Sequence, residues 1–174
     1  MFFLKKLQHE LQLEPKHFGP RLKMTVRDRL IQKVEGSSLG KEGYVITVTS
    51  VRDEDIGQGV IEDSGNVNFV VNYVAILFCP YKNEVMDAVV TYVTHLGFYA
   101  EVGPLTVFVS RHAMPEDITT FNSETETWIS DDQEVEIKAG CGVRLRIMGT
   151  TIDSTEINAV GTIKGDFLGL ISSE

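Results

Sequence analysis

The chain has 174 residues, of which 43% are hydrophobic and 24% are charged, the composition of a folded protein rather than a disordered one. Its formal net charge of −9 is unevenly placed: residues 1–80 carry ten basic and ten acidic side chains, whereas residues 81–174 carry six and fifteen. This imbalance excludes a uniformly basic protein that coats nucleic acid by phosphate neutralisation alone, and it suggests two modules with different surfaces.

The first module is predicted to combine strands with one helix. Residues 2–13 alternate between apolar and polar side chains, which predicts a strand. After Pro20, apolar side chains recur every fourth residue and basic side chains lie between them. This pattern predicts an amphipathic helix that ends at Gly36. The apolar positions of that helix are Leu22, Val26, Leu30 and Val34. Residues 44–51 and 66–79, rich in β-branched and aromatic side chains, predict two further strands.

The second module is predicted to be a small closed β-barrel. The segment Pro80–Asn83 coincides with the charge step, so the domains are placed at 1–80 and 81–174. Short strands are expected at 85–94, 98–102, 105–110, 135–138, 143–149 and 157–164. About five short strands punctuated by glycine are typical of such a barrel. Residues 116–136 hold eight acidic side chains and no Lys or Arg, so this segment is expected to be a long solvated acidic loop.

Candidate motifs for enzymatic chemistry fail on spacing. Residues 36–42 have three residues between glycines where a phosphate-binding loop has four, and Glu42 replaces the hydroxyl that would meet Mg²⁺. Ser110 and His112 have no evident third group to orient them. The histidines lack metal-site spacing, and the two cysteines, Cys79 and Cys141, are far apart. We expect no catalytic site, no metal and no cofactor. No apolar run approaches the ~20 residues of a membrane span, so no membrane contact is expected.

One face of the predicted barrel remains as a candidate binding surface. The alternation that puts Phe98 inside puts Tyr99 outside, and the same rule puts Phe108, Arg144 and Arg146 outside. Barrels of the OB type hold single-stranded nucleic acid by stacking bases on aromatic rings while basic side chains meet phosphates. Exposed aromatic rings also mark protein interfaces, so packing against another module or a partner protein stays open.

Several motifs carry a resemblance to a known family. The run from Glu84 to Met114, with Gly97-Phe98-Tyr99 at its bend and Phe108-Val109-Ser110 near its end, resembles an S1 RNA-binding domain. The chain also contains, in order, Leu13-Glu14-Pro15, Phe18-Gly19-Pro20, Val34-Glu35-Gly36, Gly40-Lys41-Glu42-Gly43-Tyr44, Asp55-Ile56-Gly57 with Gly59, Gly103-Pro104 and Asp166-Phe167-Leu168-Gly169. Taken together, these motifs resemble the family formed by the seventh subunit of eukaryotic RNA polymerase II and its counterpart in archaeal RNA polymerase.

The resemblance implies an α+β chain in which an N-terminal RNP-like domain precedes a C-terminal S1-type OB barrel. It implies a nuclear, non-catalytic subunit of RNA polymerase II that pairs with the fourth subunit, docks as a stalk on the polymerase core near the RNA exit path, binds nascent single-stranded RNA and supports initiation. By position, core docking falls on Phe18, Gly19, Pro20, Asp55, Ile56, Gly57 and Gly59. RNA contact falls on Tyr99, Phe108, Arg144, Arg146, Arg111, Lys82 and Lys164.

Three positions depart from the S1 pattern. Leu96 stands where an aromatic residue often precedes the bend glycine, Ser110 stands where His is common, and Asn83 replaces the usual Gly of the interdomain turn. Together with the acidic charge, the first two changes predict weakened RNA binding. Two alternatives stay open: the equivalent stalk subunit of another nuclear polymerase, and an S1 fold that serves protein assembly only, with its acidic segment facing a basic partner.

Overall fold

The computed structural model describes residues 1–153 and 156–171, which form one α-helix and thirteen strands. The helix is α1 (Leu22–Val34). The strands are β1 (Phe2–Leu13), β2 (Tyr44–Ser50), β3 (Val60–Ile61), β4 (Val67–Phe78), β5 (Val85–Thr94), β6 (Gly97–Val102), β7 (Leu105–Ser110), β8 (Ile118–Asn122), β9 (Thr127–Ser130), β10 (Glu136–Ile137), β11 (Gly142–Ile152), β12 (Ile157–Thr162) and β13 (Gly169–Leu170). In this part of the chain, no helix has the length and apolar character to cross a membrane. The contacts separate into two units, residues 1–79 and residues from 80 onward.

The first unit is an antiparallel sheet with α1 on one face. Strand β1 pairs with β4 along its whole length, while β2 and β3 pair with the other edge of β4. Alternation along β1 turns Leu11 and Leu13 inward, where they share a core with Val26, Leu30 and Val34 of the helix. The predicted strands and the predicted amphipathic helix are confirmed in this unit.

The second unit contains a closed barrel of five strands. The order β12–β7–β6–β5–β11 closes through pairing of β11 with β12, and β7 and β12 run parallel while the other pairs are antiparallel. The interior positions of three strands are completely buried, as the alternation predicted; they include Phe98, Ala100, Leu105, Val107, Val109, Val143, Leu145 and Ile147. The fold class of mixed helix and strand with a C-terminal barrel is therefore confirmed.

Gly97 makes the bend between β5 and β6 possible. Its φ is +150°, and a Cβ atom at this position would lie 2.1 Å from the carbonyl oxygen of Val109. A real Cβ cannot approach a backbone oxygen so closely, so β6 and β7 pair at this end of the barrel only because residue 97 has no side chain.

The prediction of a loop over 116–136 is wrong. Strands β8, β9 and β10 form a three-stranded antiparallel sheet there. Its apolar side chains Ile118, Trp128 and Ile137 are buried, whereas all eight acidic side chains of the segment are exposed. The indole Nε1 of Trp128 donates a hydrogen bond to the carbonyl oxygen of Thr94 at 2.9 Å, which ties this sheet to β5. The count of acids concealed the apolar positions that lie between them.

Candidate nucleic-acid interface

Three aromatic rings form a strip on the outside of the barrel. Tyr99 on β6 and Phe108 on β7 face each other in register, with ring centroids 4.8 Å apart and planes tilted by 44°. Tyr92 on β5 pairs with Tyr99, and their centroids are 6.5 Å apart. Tyr92 and Tyr99 are 55% and 38% exposed, so solvent reaches this strip. Tyr99 and Phe108 therefore lie where the alternation predicts.

Tyr92 belongs to the strip although simple alternation along β5 would turn it inward. The pairing of β5 with β6 shifts between Val90 and Tyr92, so Thr91 is an extra residue in a bulge. Val90 and Val93 are buried on either side of the bulge, while Thr91 and Tyr92 are both exposed. A bulge depends on the partner strand as well as the local sequence, which is why the pattern along β5 alone did not identify Tyr92.

The strip forms one side of a cleft of about 390 Å³, which we call the aromatic cleft. Its other side is the hairpin of β8 and β9, which contributes Phe121, Ser123 and Glu126. Leu96, in the turn between β5 and β6, also lines it. The volume lies within the range of about 300–1,000 Å³ found for small-ligand pockets, so the cleft has room for an aromatic ligand. Phe121 was missed because its segment was interpreted as a loop.

Arg144 is already engaged in an ion pair. Its Nε and Nη2 atoms donate to the two carboxylate oxygens of Asp87 at 2.7 and 2.9 Å, across the pairing of β11 with β5. The hydrogen bond from Arg144 holds the pKa of Asp87 below its usual range, and both side chains are about half exposed. The remaining N–H donors of Arg144 lie outside this pair, so a phosphate that meets them also lies near the Asp87 carboxylate unless the pair opens.

The other predicted basic contacts divide into paired and unpaired groups. Lys164 lies 2.7 Å from Glu116, and the hydrogen bond from Lys164 lowers the pKa of that carboxyl group. Within residues 1–153 and 156–171, Arg146, Arg111 and Lys82 form no ion pair. Three of the five predicted cations are therefore available to a new anionic partner.

The unpaired cations lie at different distances from the strip. Arg146 pairs with Thr162 on β12, and Val160 of the same strand pairs with Phe108, so two strand spacings, about 10 Å, separate Arg146 from the aromatic row. Arg111 begins the short turn directly after β7. Lys82 lies beside β11, because the amide of the next residue donates to the carbonyl oxygen of Ile147.

The two predicted docking segments of the first unit lie at the same end of its sheet. Strand β1 ends opposite Val67, the first residue of β4, and β3 pairs with the same end of β4. The loops 14–21 and 52–59 both adjoin this end. Asp53 in the second loop lies 2.9 Å from Arg27 and 3.6 Å from Lys23 on α1, which links the loop to the start of the helix.

Not all of the predicted docking residues present a side chain to solvent. Phe18 is 43% exposed, and Gly19 and Pro20 beside it are exposed. By contrast, Ile56 is half-buried against β4, to which it is joined by a bridge at Val71. Asp55 accepts a hydrogen bond from the amide of Arg52 at 3.0 Å, which stabilises the loop.

Close packing against β4 explains why residues 57 and 59 are glycines. A Cβ at residue 57 would lie 2.8 Å from the carbonyl oxygen of Val70, and one at residue 59 would lie 2.6 Å from Val67. These two glycines let the loop lie against β4. The side chains that this end of the sheet presents to solvent therefore belong to residues beside the two glycines.

Comparisons with known proteins match both units. A family model described as "SHS2 domain found in N terminus of Rpb7p/Rpc25p/MJ0397" matches residues 8–65. The model of the S1 RNA binding domain matches residues 79–159, the region that includes the aromatic strip, the hairpin and most of the barrel. The second match gives the aromatic strip its context, because it lies on the outside of a recognised S1 fold.

Curated relatives align over nearly the full length of the chain. RNA polymerase II subunit rpb7 of Dictyostelium discoideum is 46% identical over 98% of this chain and 99% of its own. Subunit RPB7 of Saccharomyces cerevisiae is 39% identical over 98% of this chain and 100% of its own. The chain belongs to the RPB7 family. RNA polymerase V subunit 7 of Arabidopsis thaliana, at 29% identity over 90% of this chain and 88% of its own, is a more distant relative.

Proposed function

We propose that this RPB7-family chain is a non-catalytic subunit of nuclear RNA polymerase II. In that role it pairs with the fourth subunit as a stalk, docks on the core near the RNA exit path, binds nascent single-stranded RNA and supports initiation. The observation that carries this proposal is the match of 39–46% identity, over nearly the whole chain, to subunits that bear this name. The 29% identity to the polymerase V subunit makes another nuclear polymerase the weaker assignment.

The two domains, 1–80 and 81–174, divide the work in this proposal. The first domain docks on the core through the end of its sheet that carries both Phe18, Gly19 and Pro20 and the loop 55–59. An exposed aromatic ring beside two shaped loops is the kind of protruding feature that anchors a protein interface. The second domain faces the transcript.

In this proposal, base stacking contributes more to RNA binding than phosphate contacts do. Unpaired bases stack on Tyr99 and Phe108, with Tyr92 extending the row, while Arg146, Arg111 and Lys82 meet phosphates. Stacking on an aromatic ring contributes about 1–3 kcal/mol per base and tolerates any sequence. Because Arg144 and Lys164 are occupied by Asp87 and Glu116, we expect modest affinity.

Replacement of both rings tests the RNA function. We expect Tyr99→Ala with Phe108→Ala to weaken binding of a fluorescent ten-nucleotide RNA by roughly tenfold or more, because the stacking surface is lost. Fluorescence anisotropy gives the affinity, and circular dichroism checks that the barrel remains folded. Phe167→Ala is the matched control, because this ring is 93% exposed and does not line the aromatic cleft. Equal affinity of the double variant and the unaltered chain would remove the stacking proposal.

A second candidate function is protein assembly without RNA contact. The observation that favours it is the set of eight exposed acidic side chains in the segment 116–136, mostly in the turns that join β8, β9 and β10, which suits a basic partner. Purification of the tagged chain from its native cells separates the proposals. Recovery of polymerase subunits together with no measurable RNA affinity supports assembly alone, and recovery of no polymerase subunit contradicts both.

A further inference from the structure

The hairpin of β8 and β9 forms a defined wall opposite the aromatic strip. Phe121 packs on Trp128 with ring centroids 5.4 Å apart, and the indole of Trp128 donates to the carbonyl of Thr94 on β5. At the tip, the side-chain oxygen of Asn122 accepts the amide of Glu124 at 2.9 Å. The wall is therefore joined to β5, the strand that carries Tyr92, and Ser123 and Glu126 line the cleft from a supported position.

Glu126 is the one carboxylate that lines the aromatic cleft; His95 lines it as well, and no Lys or Arg of the described residues does. Its carboxylate forms no hydrogen bond or ion pair with the part of the chain that the structure describes. A charged group without a partner, beside four aromatic rings, is available to a hydrogen-bond donor that arrives with a ligand.

The edge of a stacked base supplies such donors. A base that lies on Tyr99 or Phe108 directs its hydrogen-bonding edge sideways, and single-stranded RNA presents this edge unpaired. An ionised carboxylate can only accept hydrogen bonds. Guanine offers two adjacent donors, N1–H and the N2 amino group, which match the two oxygens of one carboxylate. Uracil offers a single N–H, and the carbonyl oxygen on each side of it repels a carboxylate.

We propose that Glu126 makes the aromatic cleft selective for guanine over uracil in single-stranded RNA, an inference that rests on the proposed RNA function. Guanine stacks on the rings while Glu126 accepts its N1–H and N2–H donors. The acidic hairpin thus selects which base enters, although its charge lowers overall affinity for RNA.

The test compares two fluorescent RNAs, a ten-nucleotide oligouridine and the same oligonucleotide with one central guanosine, bound by the full chain. We expect the guanosine to improve affinity about fivefold, the discrimination of one good bidentate contact. Glu126→Gln should bring this ratio close to one. Glu124→Gln is the matched control, because it removes the same charge from the same tip at a residue that does not line the cleft. Both variants should bind oligouridine slightly better, whereas Glu124→Gln should keep the ratio.

The outcomes separate this inference from the RNA function. Equal binding of both RNAs by the unaltered chain, or an unchanged ratio in Glu126→Gln, overturns the assignment of Glu126 while RNA binding stands. Absence of binding to either RNA overturns the RNA function, and with it the role of Glu126. Loss of the ratio in Glu124→Gln as well would show that general charge controls it, which also contradicts a contact by Glu126.

Discussion

His9 is a polar residue in an environment that resists its protonation. It lies on the side of β1 that includes Leu7 and Leu11, and within the described residues its Nε2 atom is buried without a hydrogen-bond partner. Burial is the largest cause that lowers the pKa of His9 from its usual 6.5; the positive charge of Lys33 on α1 adds to it, and Glu10 opposes it. The neutral imidazole is therefore preferred in the folded state.

The sign of the resulting pH dependence follows from this preference. Above about pH 6.5 the ring is neutral in both folded and unfolded chains, and the full contribution of His9 to the free energy of unfolding is present. As the pH falls from about 6.5 through the lowered pKa of the folded chain, the unfolded chain binds the proton more readily, so this contribution is lost. We expect the urea midpoint to fall between pH 7 and pH 5, and His9→Leu to flatten that fall.

Urea unfolding across this range checks the expectation. The carboxyl groups whose pKa values are lowered, Glu14, Asp87, Glu116 and Asp132, titrate below it. His112→Gln is the control, because it removes a histidine that is exposed to solvent rather than partly buried. Persistence of the full slope in His9→Leu would assign it to another group.

At this same scale, the sequence predicted side-chain directions well wherever strands are regular. The positions of Tyr99, Phe108, Arg144 and Arg146 follow from alternation alone. Tyr92 did not follow, because the bulge at Thr91 arises from pairing with β6. Ion pairs such as Arg144 with Asp87 join residues 57 apart in the chain, and no local pattern indicates them.

At the scale of elements, hydrogen bonds join the β8–β10 sheet to the barrel. The bond from Trp128 to Thr94 is one of them, and its loss by Trp128→Phe should cost about 1 kcal/mol while the ring keeps its packing. We expect faster hydrogen exchange in residues 118–130 of the variant and unchanged exchange in β6 and β7. Uniform acceleration over the whole barrel would instead mean that the sheet is part of the barrel's own stability.

The long elements were predictable because their periodicity extends over many residues. Strand β1 and helix α1 are found where the sequence placed them, within one or two residues. Strands β8 and β9 were not predicted, because they have only five and four residues and lie in a segment rich in acids; a strand was expected at 135–138, where β10 lies, but its pairing with β9 was not. Short strands are stabilised by their neighbours, and sequence spacing carries little of that information.

At the scale of the whole molecule, the number of phosphates that basic side chains contact sets how RNA binding responds to salt. All of the excess negative charge belongs to residues 81–174, yet eight of the fifteen acids there lie in the segment 116–136. If Arg146, Arg111 and Lys82 alone meet phosphates, three contacts are made. Each contact with single-stranded RNA contributes about −0.7 to the slope of log affinity against log salt, so we expect a slope of about −2.

A steeper slope has a specific structural meaning. Exposed ion pairs contribute only about 0–1 kcal/mol, so RNA could displace Asp87 from Arg144 and Glu116 from Lys164. Five contacts would give about −3.5. Asp87→Asn frees Arg144 without altering the aromatic cleft, and it should steepen the slope by about 0.7 if that arginine is otherwise occupied. A slope of about −3.5 in the unaltered chain, with no change in Asp87→Asn, would mean that the ion pairs open when RNA binds. The acidic partners of Arg144 and Lys164 would then not limit the number of phosphate contacts that the barrel makes.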